Sequence, residues 1–263
     1  FNLTASRDYD WLAPRIGLLF QVDQDSQLFA NLTRSVEPPN FGSMSPTNTG
    51  FAPVRSQKAW TGEVGTRGHR GPFTYDVTLY RAELKGEMLQ YTVNPSIPAS
   101  TFNADETLHQ GVEAALDWAI TPAVRLRQTY TYSDFRFDGD PTYKDRRLPL
   151  VPEHLYRAEL RYDGDGGWFV APSLEWSLKD AWVDYANTLR SPSYAVLGLN
   201  AGWRISQPVS LFAEVRNLTD RRYVSNFSAV TNARTAEMSK LTENAFRDVN
   251  IAFANELSIV ADK

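Results

Sequence analysis

From residue 108 to 133 the chain reads LHQGVEAALDWAITPAVRLRQTYTYS, with apolar side chains on nearly every second position. Val112, Ala114, Leu116, Trp118 and Ile120 alternate with Gly111, Glu113, Ala115, Asp117 and Ala119. Past Thr121, Pro122 and Ala123 the phase continues, with Val124, Leu126, Tyr130 and Tyr132 against Arg125, Arg127, Thr129 and Thr131. A period of two is that of an extended strand. Two strands joined by so short a turn pair antiparallel, because a parallel partner needs a long crossover. One face of this hairpin is aliphatic and aromatic, and the other carries two carboxylates and two guanidinium groups. In a soluble sandwich the apolar face would meet a second sheet. In a membrane barrel it would meet lipid, and the charged face a wet lumen. The hairpin alone fits both.

The same alternation predicts strands along most of the chain. They fall at 14–22 (Ile16, Leu18, Phe20 and Val22 on one face), 27–36, 57–69 (Trp60, Gly62 and Val64 against Glu63, Gly65 and Arg67) and 73–90 (Phe73, Tyr75, Val77 and Leu79). Further strands fall at 153–163 (His154, Tyr156, Ala158, Leu160 and Tyr162 against Arg157, Glu159 and Arg161) and 168–178 (Trp168, Val170, Leu174, Trp176 and Leu178 against Ser173, Glu175 and Ser177). A last hairpin turns at Gln207 and Pro208. There Leu197, Leu199, Ala201, Trp203 and Ile205 face Leu211, Ala213 and Val215, with Glu214 and Arg216 on the other side.

Short turns at 23–26, 70–72, 121–123, 163–167 and 207–208 alternate strictly with long irregular stretches at 37–56, 93–106, 137–149 and 180–192. Greek-key sandwiches are not organised this way, whereas outer-membrane barrels have short periplasmic turns and long extracellular loops. The expectation is an all-β fold, an antiparallel transmembrane β-barrel fragment of about ten strands. Glu63, Arg67, Glu113, Asp117, Glu159, Glu175, Glu214 and Arg216, with Arg125, Arg127, Arg157 and Arg161, then form a mixed-sign ladder on the lumen face.

Composition narrows the partners more than the fold. A formal net charge of −4 and the lack of any Lys/Arg run give no attraction to nucleic acid, which is excluded as a partner. Aromatic residues are 13% of the chain, with 7 Trp and 12 Tyr, which suits interfacial girdles and also any Tyr-rich β protein. There is no cysteine, so disulfides, thiolate metal sites and cysteine nucleophiles are out of reach. No window is long and apolar enough for a transmembrane helix, which leaves a barrel untouched. The chain begins at Phe1 without a signal peptide and reads as a mature or truncated product.

Six segments, in order, resemble the TonB-dependent outer-membrane receptors: 34–44, RSVEPPNFGSM; the Glu-x-Gly strand at 59–67; 75–89, YDVTLYRAELKGEML; 103–113, NADETLHQGVE, with its Asn-Ala and Gly-Val-Glu; 148–154, LPLVPEH; and 214–223, EVRNLTDRRY. The resemblance covers residues 1–233 and implies part of a 22-stranded barrel around a plug. It also implies a location in the bacterial outer membrane, import of a scarce ligand such as a ferric siderophore or other iron chelate, and coupling to TonB through a plug domain that this sequence does not show. The partners expected are outer-membrane lipid, TonB and the chelate; no cofactor is expected. A chain with these strands alone is expected not to function by itself. A passive outer-membrane pore, or a soluble β protein without TonB coupling, is the competing reading.

Residues 235–263 break the pattern. Met238, Leu241, Ala245, Val249, Ala252 and Phe253 recur at three- and four-residue spacing without Pro or Gly, which predicts an amphipathic helix. The segment resembles the central helix of UDP-N-acetylmannosamine dehydrogenases, in which Lys240 and Asn244 match catalytic positions. That chemistry also needs a Gly-rich nucleotide turn and a cysteine nucleophile, and this chain has neither, so no enzyme activity is expected. The implied organisation is a receptor barrel over 1–233 and a foreign helix over 234–263, joined near 232–235 by gene rearrangement or misassembly.

Two sets of residues are candidates for ligand contact. Arg125, Arg127, Arg157 and Arg161 suit an anionic ligand, since a guanidinium pairs bidentately with carboxylate. They suit wall pairing with Glu113, Asp117, Glu159 and Glu175 better. The resemblance adds the outer mouth, with Tyr91, Phe102, Tyr143 and Arg146. His69, His109 and His154 lack metal-ligand spacing, and DGDPTYKD at 138–145 lacks the distal Glu of a calcium loop, so no metal site is expected.

Overall fold

β-Strands run throughout a computed structural model of the chain, which describes residues 9–39, 46–47, 50–51, 54–91 and 100–223. The long strands are β1 (Arg15–Gln21), β2 (Ser26–Glu37), β5 (Gln57–Arg70), β6 (Phe73–Tyr91), β7 (Ser100–Thr121), β8 (Val124–Phe137), β9 (His154–Gly164), β10 (Trp168–Ser177), β13 (Tyr194–Ser206) and β14 (Val209–Val215). Two short ribbons sit in the long loops: β3 (Pro46–Thr47) with β4 (Gly50–Phe51), and β11 (Ala181–Trp182) with β12 (Arg190–Ser191). The helix expected over 235–263 lies outside the described residues. The chain divides into two compact units, Phe1–Leu89 with Thr101–Ser225 and Gln90–Ser100 with Asn226–Lys263. The strands described below belong to the first, apart from the end of β6 (Gln90 and Tyr91) and the first residue of β7 (Ser100).

The ten long strands form one sheet in the order β1-β2-β5-β6-β7-β8-β9-β10-β13-β14. Each bonds to its neighbours in the chain, as a barrel meander requires, and β1 and β14 have one sheet neighbour each. The alternation fixes the register. Val112 lies opposite Tyr132 and Trp118 opposite Leu126, Leu126 opposite Leu160, Leu174 opposite Leu197, and Ala201 and Trp203 opposite Ala213 and Leu211. All stand on one face, because paired residues of neighbouring strands share a side.

That face is uncovered. Ile16, Leu18, Phe20, Val64, Leu79, Trp203 and Leu211 are exposed by half or more, and no second sheet of comparable size exists among the described residues. A soluble sandwich would bury these residues. Aromatic side chains flank the aliphatic band. Near the short turns, Phe73 stacks on Trp118 with centroids 5.4 Å apart and Tyr162 packs on Trp168, also at 5.4 Å, while Trp168 lies opposite Trp203. Toward the long loops stand Trp60, Tyr130, Tyr132, Tyr156 and Trp176, and the Tyr130 hydroxyl shares a 2.7 Å hydrogen bond with His154 Nδ1. Trp168 and Trp176 are about 27 Å apart along β10, which tilt reduces toward the height of a ~25 Å apolar band.

Two expectations are corrected and a third is refined. β7 begins at Ser100, not after 106; Phe102, Ala104 and Leu108 alternate with Asn103, Asp105 and Thr107, but Glu106 interrupts the apolar positions and a Pro- and Ser-rich run precedes them, so the segment reads as loop. The turn at 121–123 narrows to Pro122 and Ala123, because Thr121 pairs with Val124 after a register shift past Ala119. The stretches 137–149 and 180–192 are loops, as expected, but not without pairing: the first holds bridges between Arg136 and Arg147 and between Asp140 and Lys144, and the second holds the two-residue β11–β12 ribbon.

Candidate ligand mouth and lumen wall

On the face opposite the aliphatic band, the strand register gathers charge into ladders. Arg127 Nε lies 3.2 Å from Asp117 Oδ2 on β7, and its Nη1 lies 3.8 Å from Glu159 on β9, so one guanidinium spans three strands. Arg125 reaches the other Asp117 oxygen at 3.4 Å. Arg157 donates to Glu175 Oε2 at 2.8 Å, and the Tyr194 hydroxyl donates to the other Glu175 oxygen at 3.2 Å. Arg161 departs from the expected pairing. Although it lies directly opposite Arg125, it donates to Asp163 of its own strand at 2.6–3.0 Å and lies 3.7 Å over the Phe169 ring. Like charges face to face repel, and the Asp163 and Asp117 pairs offset that repulsion.

The rest of the ladder is looser. Glu63 accepts from Asn31 at 3.4 Å and Arg67 donates to Gln27 at 3.2 Å. Arg216, just past β14, donates to Glu214 at 2.5 Å. Glu113 has no ion-pair partner among the described residues, contrary to the expected pairing with arginine. Pairs this exposed contribute little each, about 0–1 kcal/mol.

The four ladder arginines do not meet the mouth candidates. Arg125, Arg127 and Arg161 lie toward the short turns, whereas Phe102 and Tyr143 lie at the long-loop end. There Phe137, the last residue of β8 and fully buried, anchors an aromatic cluster. Tyr143 stacks on it at 4.7 Å and Tyr185 meets it edge-on at 6.0 Å. Phe102 meets Tyr185 at 5.4 Å and Tyr143 at 6.3 Å, and Ala104 and Leu148 complete the small core. Arg146 is exposed; its carbonyl accepts the Phe137 N–H at 2.9 Å. The Tyr91 side chain lies outside the described residues. Sequence reasoning missed Tyr185, an aromatic in a loop with no period. It also missed a buried polar group on β6 and β7, where Thr107 donates to Glu87 at 2.5 Å and His109 Nε2 lies 3.2 Å from the same oxygen while its ring stacks on Phe135.

Two asparagines clasp the loops. Asn103 accepts the Arg55 N–H at 2.7 Å and donates to the carbonyls of Arg55 (2.9 Å) and Gly86 (2.7 Å). Gly86 turns at φ +68, a left-handed conformation that glycine enters without steric cost. Asn187 exchanges two 2.9 Å hydrogen bonds with the main chain of Arg147, and Leu150 N–H donates to the Trp182 carbonyl at 2.7 Å. Burial pushes the Asp184 carboxyl up, but hydrogen bonds from the Leu189 and Thr188 N–H groups and the Thr188 hydroxyl outweigh it and hold its pKa below the usual aspartate value. Just before β9, burial of Glu153 is likewise outweighed by Lys179, Arg147 and His154, and its pKa is lowered. Among the described residues no three His, Asp or Glu side chains converge as a metal site.

One uncovered apolar face between aromatic rows, one ladder of charge pairs and a rim of tied loops define an antiparallel transmembrane β-barrel wall. The chain belongs to the TonB dependent receptor-like, beta-barrel family, whose model matches residues 1–218. Residues 234–263 match the central domain of the UDP-glucose/GDP-mannose dehydrogenase family. The metal-pseudopaline receptor CntO of Pseudomonas aeruginosa is 27% identical over 236 residues, covering 85% of this chain and 32% of that receptor. UDP-N-acetyl-D-mannosamine dehydrogenase of Campylobacter jejuni is 71% identical over 41 residues, covering 16% of this chain and 10% of that enzyme. The chain therefore spans about a third of the receptor and a tenth of the dehydrogenase. The ferric yersiniabactin uptake receptor FyuA of Yersinia pestis superposes with a TM-score of 0.67 at 20% identity, over 83% of this chain and 34% of its own. The copper transporter OprC does so with a TM-score of 0.67 at 18% identity, over 82% and 36%. Most of the chain resembles transport receptors, and the dehydrogenase likeness is confined to a short segment.

Proposed function

We propose that this chain is wall and rim of a TonB-dependent outer-membrane receptor that imports a metal chelate, a ferric siderophore first among them. The observation that carries the reading is the ten-stranded sheet with one whole apolar face uncovered and the opposite face laddered with ion pairs, which fits lipid outside and a wet lumen inside. On this reading residues 9–223 are barrel, and residues 234–263 are a segment foreign to it. Phe102, Tyr143, Tyr185 and Arg146 line the entrance, and the arginine ladder stiffens the wall. Because β1 and β14 each bond on one side only, the wall works when further strands cover both edges; bare backbone edges in lipid cost several kcal/mol per group.

The test replaces the matching third of the metal-pseudopaline receptor with residues 9–223 and follows uptake of radiolabelled ferric chelates in cells with and without TonB. Uptake that requires TonB supports the reading. Equal uptake in both strains would mark a passive pore.

A further inference from the structure

Beside the turn at Pro122 and Ala123, on the charged face of the sheet, lies a cavity of about 340 Å³ lined by Arg125, Arg127, Arg161 and Asp163, with small side chains such as Ala119 beneath them. Strand register puts the guanidinium groups there. Arg125 and Arg161 face each other across β8 and β9, and Arg127 stands two residues further along β8, about 7 Å away. Two cations in directly opposed positions repel, and the carboxylates within reach offset that repulsion only in part. Asp117 is shared between Arg125 at 3.4 Å and Arg127 at 3.2 Å, Asp163 pairs with Arg161, and Glu159 lies 3.8 Å from Arg127. Three guanidinium groups thus lean on two carboxylates within hydrogen-bond reach.

The same edge is taken on all three arginines. Asp117 and Asp163 meet each guanidinium at Nε, while both Nη groups of Arg125, Nη2 of Arg127 and Nη1 of Arg161 have no hydrogen-bond partner among the described residues. A guanidinium carries five N–H donors in a rigid fork, and these side chains are 32–54% exposed, so the unused donors are open to a ligand. They match carboxylates, which accept two parallel N–H bonds from one fork. One carboxylate between Arg125 and Arg161 relieves the repulsion that the register imposes. A second, a few bonds away in the same molecule, reaches Arg127. A neutral molecule offers neither contact. On the barrel reading proposed above, the short turns are periplasmic. The cavity then stands at the outlet of the lumen, far from the aromatic rim of Phe102, Tyr143 and Tyr185.

We infer that this cavity is an outlet site for a molecule with two or more carboxylates, clamped between Arg125 and Arg161 with Arg127 as the second contact, and that the imported chelate belongs to this carboxylate-bearing class. The cargo assignment rests on the transport reading above, and the binding site does not. To test it, the full chain folded into detergent micelles is titrated calorimetrically with propane-1,2,3-tricarboxylate, its trimethyl ester and inorganic phosphate at one ionic strength. Heat-modifiable migration certifies the folding of each variant. The expected result is saturable heat with the tricarboxylate alone, weakened about tenfold in Arg125→Gln and in Arg161→Gln. Arg125→Lys, which keeps the charge and loses the fork, should fall between the parent and Arg125→Gln. Arg67→Gln, on the same face and at the same end but outside the cavity, should bind as the parent does. An equal response to the ester, parental affinity in both glutamine variants at the cavity, or an equal loss in Arg67→Gln would overturn the site. Saturation by phosphate at the same concentration would overturn its carboxylate class, and TonB-dependent uptake restricted to chelates without carboxylates would overturn the cargo. Tricarboxylate binding by a wall whose grafted receptor shows no TonB-dependent uptake refutes the transport reading and leaves the site standing.

Discussion

The side-chain amide of Asn187 and the main chain of Arg147 exchange two hydrogen bonds, each 2.9 Å long, and so bind two loops 40 residues apart in sequence as a pair of strands would be bound. Asn187 holds φ +52 to do so, a left-handed conformation that asparagine tolerates better than most residues. Removing the amide leaves both main-chain groups without their partner at a cost of about 1–3 kcal/mol. In Asn187→Ala, hydrogen exchange and limited proteolysis should accelerate in 138–153 and 178–193 while β7 to β10 keep their protection. Unchanged loop protection would show that the clasp is redundant.

Neighbouring residues on β8 should answer oppositely to charge. Leu126→Arg places a guanidinium in the aliphatic band and should destabilise the protein, folded into vesicles and unfolded by denaturant, by about 2–4 kcal/mol. Arg127→Leu removes a guanidinium that is 54% exposed among its carboxylates and should cost no more than about 1 kcal/mol. A larger loss at Arg127 than at Leu126 would reverse the assignment of faces.

Acid should loosen the 184–189 loop. Asp184 is held below its ordinary value of 3.8, so its contribution is complete above that value and disappears as the pH falls through the lower, folded pKa. Exchange protection of the Thr188 and Leu189 N–H groups should therefore be flat from pH 7 to about 5 and fall below about 4, and Asp184→Asn should remove the dependence. A loss of protection centred near neutral pH would point to another group.

Gly111 should resist any side chain. A Cβ there would run into the Tyr132 carbonyl, which strand pairing fixes, and into the Tyr80 ring. Gly111→Ala should destabilise by about 2–4 kcal/mol and lower the yield of heat-modifiable protein, whereas Gly62→Ala, with open space around its Cβ position, should fold as the parent does.

The long strands and their register were legible wherever one face stayed apolar from turn to loop, as in the Val112–Tyr132 and Trp118–Leu126 pairs. The signal was lost at the start of β7, where Glu106 interrupts the apolar positions Phe102, Ala104 and Leu108 and a Pro- and Ser-rich run precedes them, so those residues read as loop. The clasps are invisible in the sequence because they depend on single amides meeting distant main chain: Asn103 stands in a recognisable motif that does not reveal its tie to Arg55 and Gly86, and Asn187 stands in a loop without period. Among the arginines, sequence left wall and ligand open as alternatives. The distances give Arg125, Arg127 and Arg157 carboxylates on other strands, and Arg161 one on its own.

The orientation of the sheet is tested most directly by spin labels, for which the cysteine-free chain is a ready background. Single cysteines at successive positions of 112–118 and 124–132 in the grafted receptor are labelled and exposed to oxygen, which partitions into lipid, and to a water-soluble nickel chelate. The prediction is a strict period of two, with labels at 112, 116, 118, 126 and 132 favouring oxygen and those at 113, 117, 125 and 127 favouring the chelate. Accessibility without that alternation, or chelate access on both faces, would contradict a wall between lipid and lumen.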